Sequence, residues 1–195
     1  MSGADTSNFT PYFTAVGKVA NAYSQLEFSV NDAIWDLANV SRSAGVCMTA
    51  QMIGPAPRSR CLLALLKFRG ASQTLLDEFN VISKKMEKVA AKRNRYVHDP
   101  VVMESDTGKL ARMEATADKH IRYGFMAEEV SDLINLTMEI DEVSHEFDRL
   151  YVRALRELPA WPRRQCELSE GIQYLRRDQE IVEIKQDRPP PSFQG

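Results

Sequence analysis

From Ala127 to Leu158 the chain holds no proline and no glycine, and core-forming residues recur at every third or fourth position: Val130, Leu133, Ile134, Thr137, Ile140, Val143, Phe147, Leu150, Ala154 and Leu158. That spacing lines up one stripe on a helix and on no other regular structure. A helix of this length is marginal unless its stripe is covered, so the rest of the chain must supply partners. Glu128, Glu129 and Asp132 stand at its start, where the helix dipole favours acids, and Pro159 and Pro162 end it.

The partners are visible upstream. Val16, Ala20, Tyr23, Val30, Ile34 and Leu37 predict a long helix over about 13–38, with Glu27 falling on its apolar face. The segment from Ser41 to Arg60 reads as irregular, because Gly45 and Gly54-Pro55-Ala56-Pro57 interrupt any helix. The dense apolar run from Cys61 to Phe68 predicts a short buried helix. Leu75, Leu76, Phe79, Ile82, Met86 and Val89 predict a third helix, and the same spacing carries Arg93 onto its inner side. Pro100 disfavours helical geometry at the preceding residue, so this helix should end at or just before His98. Val101–Glu104 and Leu110–Met113, around a Ser-Asp-Thr-Gly turn, predict a β-hairpin, with Ile121–Phe125 as a third short strand. The expected architecture is therefore all-α. A four-helix up-and-down bundle over residues 9–158, with a small β-hairpin inserted between the third and fourth long helices, buries these faces most economically. Residues 1–8 read as a flexible N-terminus, and 159–195 as a charged tail ending in Arg188-Pro189-Pro190-Pro191.

Composition narrows the function. A net charge of −2 gives no global attraction to polyanions, so nucleic-acid binding needs a local patch. No apolar run approaches 18 residues, and the polar N-terminus lacks the pattern of a secretion signal, so no membrane partner and a cytoplasmic location are expected. Cys47, Cys61 and Cys166 never occur in a Cys-x-x-Cys spacing and read as reduced thiols, two of them in the packed interior, rather than as metal ligands. Glu142 and His145 have the spacing of one half of a di-iron site, but no second copy accompanies them; no metal and no cofactor are expected.

The one local patch surrounds Arg93-Asn94-Arg95-Tyr96-Val97-His98-Asp99-Pro100. Lys84, Lys85, Lys88, Lys92, Arg93 and Arg95 occur against the single acid Glu87, a strip on which an RNA backbone could lie. Tyr96 is a candidate base-stacking platform, with Lys88, Lys92 and Arg95 as backbone contacts. Arg93 could clamp a phosphate beside His98, which can move protons, a pairing suited to phosphodiester cleavage. Five residues on an ideal helix place the two about 140° apart around the axis. The helix end at Pro100 would have to let His98 turn back towards Arg93 and Asn94, the latter within reach of an i, i+4 hydrogen bond.

Arg-Asn-Arg-Tyr-Val-His-Asp resembles the Arg-x(4–6)-His signature of the HEPN superfamily, placed as in that family at the end of the third bundle helix. The resemblance implies a metal-independent endoribonuclease that dimerises to form one composite site, toxin-like or acting in stress or phage defence. It implies that Arg93 holds the phosphate, His98 transfers the proton of the 2′-hydroxyl, and Asn94 supports both. Glu27 and Asp99 would assist, and the products would be a 2′,3′-cyclic phosphate and a 5′-hydroxyl. RNA, a second copy of the chain, and an antitoxin or regulatory protein are the implied partners. Pro100 stands where some HEPN toxins carry a modifiable tyrosine, so that mode of control is not implied. A second reading of the same residues makes a non-catalytic helical module: Arg93 pairs with Glu27, His98 caps helix-end carbonyls, and the module binds RNA, nucleotide or protein.

Overall fold

A computed structural model describes residues 9–104, 107–117, 121–159 and 161. The chain divides into two units, 1–160 and 161–195. The expected flexible N-terminus, His120, Cys166 and the proline-ended tail lie outside the described residues, and of the second unit only Trp161, half-buried, is described.

The first unit is mostly helical with a small antiparallel sheet. Helix α1 spans Phe9–Ala38, starting earlier than its periodicity suggested. Its buried face is Tyr12, Ala15, Val19, Ala22, Leu26, Val30, Ala33 and Leu37, so Val16 and Ala20 flank the core rather than fill it. Asn39 ends the helix in the left-handed conformation (φ 53°), which asparagine tolerates better than most residues.

Two expectations for 41–60 are corrected. Ser41 caps a helix α2 (Arg42–Thr49) by accepting the Ala44 N–H at 3.3 Å. Gly45 does not break this helix but lies buried within it, where a Cβ would fall on the Trp35 ring. Gly54, at φ 78°, and Pro55 open helix α3 (Pro55–Phe68) instead of interrupting one. Proline suits a first helical position because its missing N–H would have had no intrahelical partner. Only Ser59, Leu62 and Leu66 of α3 are buried, so the apolar run is a one-sided helix, not a buried one.

Helix α4 (Gln73–His98) is capped by Ser72 and buries Leu75, Phe79, Ile82, Met86, Val89 and Ala90. It stops where Pro100 dictates: Asp99 is extended, and its N–H still donates to Arg95 O at 3.0 Å. Strands β1 (Val101–Met103), β2 (Leu110–Ala117) and β3 (Ile121–Ala127) form a meander of order β1-β2-β3, longer on β2 and β3 than the sequence suggested. Because β3 extends to Ala127, helix α5 begins only at Val130 and runs to Glu157. Its core face is Leu133, Leu136, Ile140, Val143, Phe147, Leu150 and Ala154; Ile134, expected inside, is half exposed.

Helix α1 packs on α5, α3, α4 and α2, and α4 packs on α5 and α3. The rings of Phe79 (α4) and Phe147 (α5) meet edge to face at 6.2 Å, and Phe147 stacks on Tyr151. No helix among the described residues is long and apolar enough to cross a membrane.

Candidate functional site

The site is built where the regular part of α4 runs out. Heptad-like spacing from Leu75 to Val89 brings Arg93 to the edge of the core, against α1. Its guanidinium carbon lies 5.3 Å from the centre of the Tyr23 ring, a cation–π contact. Nη1 donates to Asn94 Oδ1 at 3.0 Å, while Nε is enclosed and has no hydrogen-bond partner among the described residues. Burial pushes the Tyr23 phenol up to about 12; Glu27 adds to the rise, and Arg93 and Arg58 oppose it.

Glu27 does not pair with Arg93. Its Oε1 sits 3.0 Å from Nη1 of Arg58, whose side chain is only 12% exposed. Arg58 also donates from Nε to Asn31 Oδ1 at 2.8 Å and from Nη1 to Gly54 O at 3.0 Å, tying α3 to α1. A guanidinium with that many acceptors is a structural clamp, and it takes the carboxylate that the sequence offered to Arg93.

His98 is the last residue of α4, exposed, and without a hydrogen-bond partner among the described residues. The helix stays regular through it, so it does not turn back towards Arg93, and the two remain about 140° apart around the axis. Nor does it bond Asn94, whose carbonyl oxygen is taken by Arg93. Within one copy, therefore, Arg93 and His98 do not converge.

Asp99 serves the sheet rather than the histidine. It accepts from Arg112 Nη1 at 2.8 Å and faces Arg95 at 3.5 Å. Arg112, on β2, also donates from Nε to Glu128 Oε1 at 2.8 Å, and its guanidinium covers the Tyr96 ring at 5.4 Å. Tyr96 is thus partly buried with a guanidinium against its ring, which corrects its reading as an open base platform. Burial raises Glu128 above the usual carboxylate range even though Arg112 pulls the other way. Burial likewise pushes Tyr12, with the nearby Glu128 adding to it, up to about 12. Tyr12 Oη and Glu128 Oε2 are both enclosed without a partner among the described residues.

The basic strip is partly answered by α5. Lys85 bonds Glu146 at 2.6 and 2.9 Å, Lys92 contacts Glu139, and Lys88 Nζ lies 3.8 Å from the same carboxylate. Exposed pairs of this kind contribute about 0–1 kcal/mol each, so a phosphate could displace them. Cys47 is exposed, and Cys61 is half-buried against the core, where burial raises its thiol. Glu142 and His145 are exposed on α5, and no group of three or more His, Cys, Asp or Glu among the described residues is gathered closely enough to hold a metal.

Sequence reasoning did not single out Arg58, Arg112 or Tyr12, and took Glu128 only as an acid at the start of the last helix. Arg58 follows a proline–glycine cluster, and Arg112 and Glu128 flank a strand and a helix start, where neither periodicity nor motif marks a charged residue as enclosed. Comparison with protein-family models gives no match, nor do comparisons with the curated proteins and with the solved structures.

Proposed function

We propose that this chain is a HEPN-type helical protein, with α1, α3, α4 and α5 as its four bundle helices, that cleaves RNA without a metal in a stress or phage-defence role. The observation that carries this reading is that Arg93 pairs with no carboxylate among the described residues, because Arg58 holds Glu27 while Arg112 and Arg95 hold Asp99. An arginine stacked on Tyr23, its Nη1 bound to an amide oxygen and to no carboxylate among the described residues, is prepared for a phosphate. His98, exposed at the helix end, would take the 2′-hydroxyl proton as the oxygen attacks phosphorus, the P–O5′ bond breaks and the leaving 5′-oxygen takes a proton from water. Since Arg93 and His98 of one copy lie on different sides of α4, the reaction would need the clamp of one protomer beside the base of the other. Lys88, Lys92 and Arg95 would carry the RNA backbone by exchanging their carboxylates for phosphates.

Cleavage of a structured RNA in EDTA tests the reading. Arg93→Ala and His98→Ala should each abolish cleavage while the helical circular dichroism is kept; variants that cleave at the wild-type rate would overturn it. The second reading, a non-catalytic module binding RNA, nucleotide or protein, is favoured by one observation: Lys85, Lys88 and Lys92 of the strip face Glu146 and Glu139. It predicts no cleavage by the wild type under the same conditions.

A further inference from the structure

Strand β3 is an open edge. The sheet order β1-β2-β3 leaves its outer side unpaired among the described residues. The side chains there are unusually apolar for an edge: Tyr123 is 77% exposed, Phe125 64% and Met126 50%. Exposed edges are normally protected by charge, proline or a bulge. β3 has neither proline nor bulge, and its pairing with β2 runs unbroken from Ala111↔Ala127 to Ala117↔Ile121.

The ladder fixes which groups face outwards. The Glu128 N–H donates to Leu110 O at 3.0 Å, and the Met113 N–H turns to Pro100 O at 2.8 Å on the other side of β2. Hydrogen-bonded and non-hydrogen-bonded pairs alternate along an antiparallel ladder, so Met113–Phe125 and Ala115–Tyr123 are non-hydrogen-bonded pairs. The N–H and C=O groups of Tyr123 and Phe125 therefore point out of the sheet.

We infer that β3 pairs antiparallel with β3 of a second copy, about a two-fold axis at Gly124. This contact stands independently of the ribonuclease reading. Full overlap of Ile121–Ala127 with itself allows one register, with 121 opposite 127, 122 opposite 126 and 123 opposite 125 across the axis. That register makes Tyr123–Phe125 the hydrogen-bonded pair on both sides, as the outward groups require. It sets aromatic against aromatic, among the more favourable cross-strand pairs. Charge permits it: the strand's one charged position, 122, faces Met126, so no like charges meet.

Gly124 fits this place. Its φ is not in the left-handed region, and a Cβ there would meet nothing within 4 Å, so no feature of the described residues asks for glycine in mid-strand. A glycine in such a position often marks the close approach of another backbone. The four rings, half covered at about 150–250 Å² each, contribute about 400 Å². With two strand backbones and the Met126 side chains, the contact falls at the small end of specific interfaces, near 1,000 Å². Backbone hydrogen bonds then carry the affinity, as in other strand additions.

The test uses the full chain at about 50 µM, a concentration suited to a contact of micromolar strength. Sedimentation should give the wild type twice the mass of Phe125→Pro, each a multiple of the 22.1 kDa chain mass. Proline there removes an outward N–H, which an edge strand tolerates, and unchanged circular dichroism would confirm the fold. In a background with the native cysteines replaced by serine, Gly124→Cys should oxidise to a covalent dimer. Non-hydrogen-bonded partners have Cα atoms about 4.5 Å apart, within disulfide range. Met126→Cys should not oxidise in this way, since its symmetry mate lies about 13 Å along the strand. A monomeric wild type, a Phe125→Pro variant of the same mass as the wild type, or equal cross-linking at 124 and 126 would each overturn the inference.

Discussion

Arg58 Nη1 lies 3.0 Å from Glu27 Oε1, and this ion pair, not one with Arg93, accounts for a carboxylate on the inner side of α1. The two arginines near Glu27 thereby have different work. Arg58 is enclosed and saturated with acceptors from α1 and the start of α3. Arg93 lies on an aromatic ring with a neighbouring amide as its hydrogen-bond acceptor.

Truncating the two should separate these roles. Arg58→Ala leaves Glu27, Asn31 Oδ1 and Gly54 O without their donor and should cost about 2–4 kcal/mol. Arg93→Ala loses a cation–π contact and no ion pair, and should cost about 0.5–1 kcal/mol. Urea unfolding of both variants, followed by circular dichroism, measures the difference. Equal losses would show that Arg93 is as structural as Arg58.

Gly45 gives an independent check on the packing of α2. An added methyl would fall on the Trp35 ring, which is itself held by an Nε1–H bond to Thr49 Oγ1 at 3.3 Å. Alanine normally favours a helix over glycine by about 1 kcal/mol, but overpacking here opposes it with about 1–3 kcal/mol. Gly45→Ala should therefore destabilise, and the tryptophan emission should shift as Trp35 is displaced. A stabilised variant would mean that α2 does not press on α1 as described.

These residues also show what the sequence could and could not disclose. The long helices were legible because a stripe at three- and four-residue spacing has one structural solution, and Pro100 marked the end of α4 to the residue. Gly45 and Pro55 misled because each has two meanings. A glycine can break a helix or let a ring press against it, and a proline can stop a helix or start one. The motif Arg93–His98 was legible as residues but not as geometry. Its convergence depended on the last turn of α4 unwinding, and the turn holds through His98. The partners of Glu27 and Asp99 were hidden because ion pairs between elements leave no periodic trace, whereas the lysine strip was visible without the α5 acids that answer it.

Glu128 should make stability depend on pH in an unusual direction for a carboxylate. Burial raises its folded-state value above the ordinary 4.5 despite the hydrogen bond from Arg112. As pH rises from about 4.5, the unfolded chain releases this proton before the folded chain does, so the folded state binds more protons and stability falls with rising pH across that window. Glu128→Gln keeps an acceptor for Arg112 Nε and removes the charge. Its thermal midpoint relative to wild type should therefore be higher at pH 7 than at pH 4. An unchanged difference between the two pH values would show that Glu128 is not held above its ordinary range.

Tyr12 tests the same enclosed cluster from the side of α1. Among the described residues its hydroxyl is buried without a partner, as is Oε2 of the nearby Glu128, and its value is pushed up to about 12. Above pH 10 the unfolded chain ionises this phenol while the folded chain does not, so stability is lost progressively between pH 10 and 12, and Tyr23 adds to the loss over the same range. Tyr12→Phe removes the desolvated hydroxyl and keeps the ring that fills the core. It should gain about 1 kcal/mol near neutrality, since no hydrogen bond is given up, and should flatten the alkaline decline. Denaturant unfolding at pH 7 and at pH 11, with ultraviolet titration of tyrosinate, reads both effects. A loss of stability at pH 7 would mean that the hydroxyl has a hydrogen-bonding partner after all, and an unchanged alkaline decline would assign that decline to Tyr23 alone.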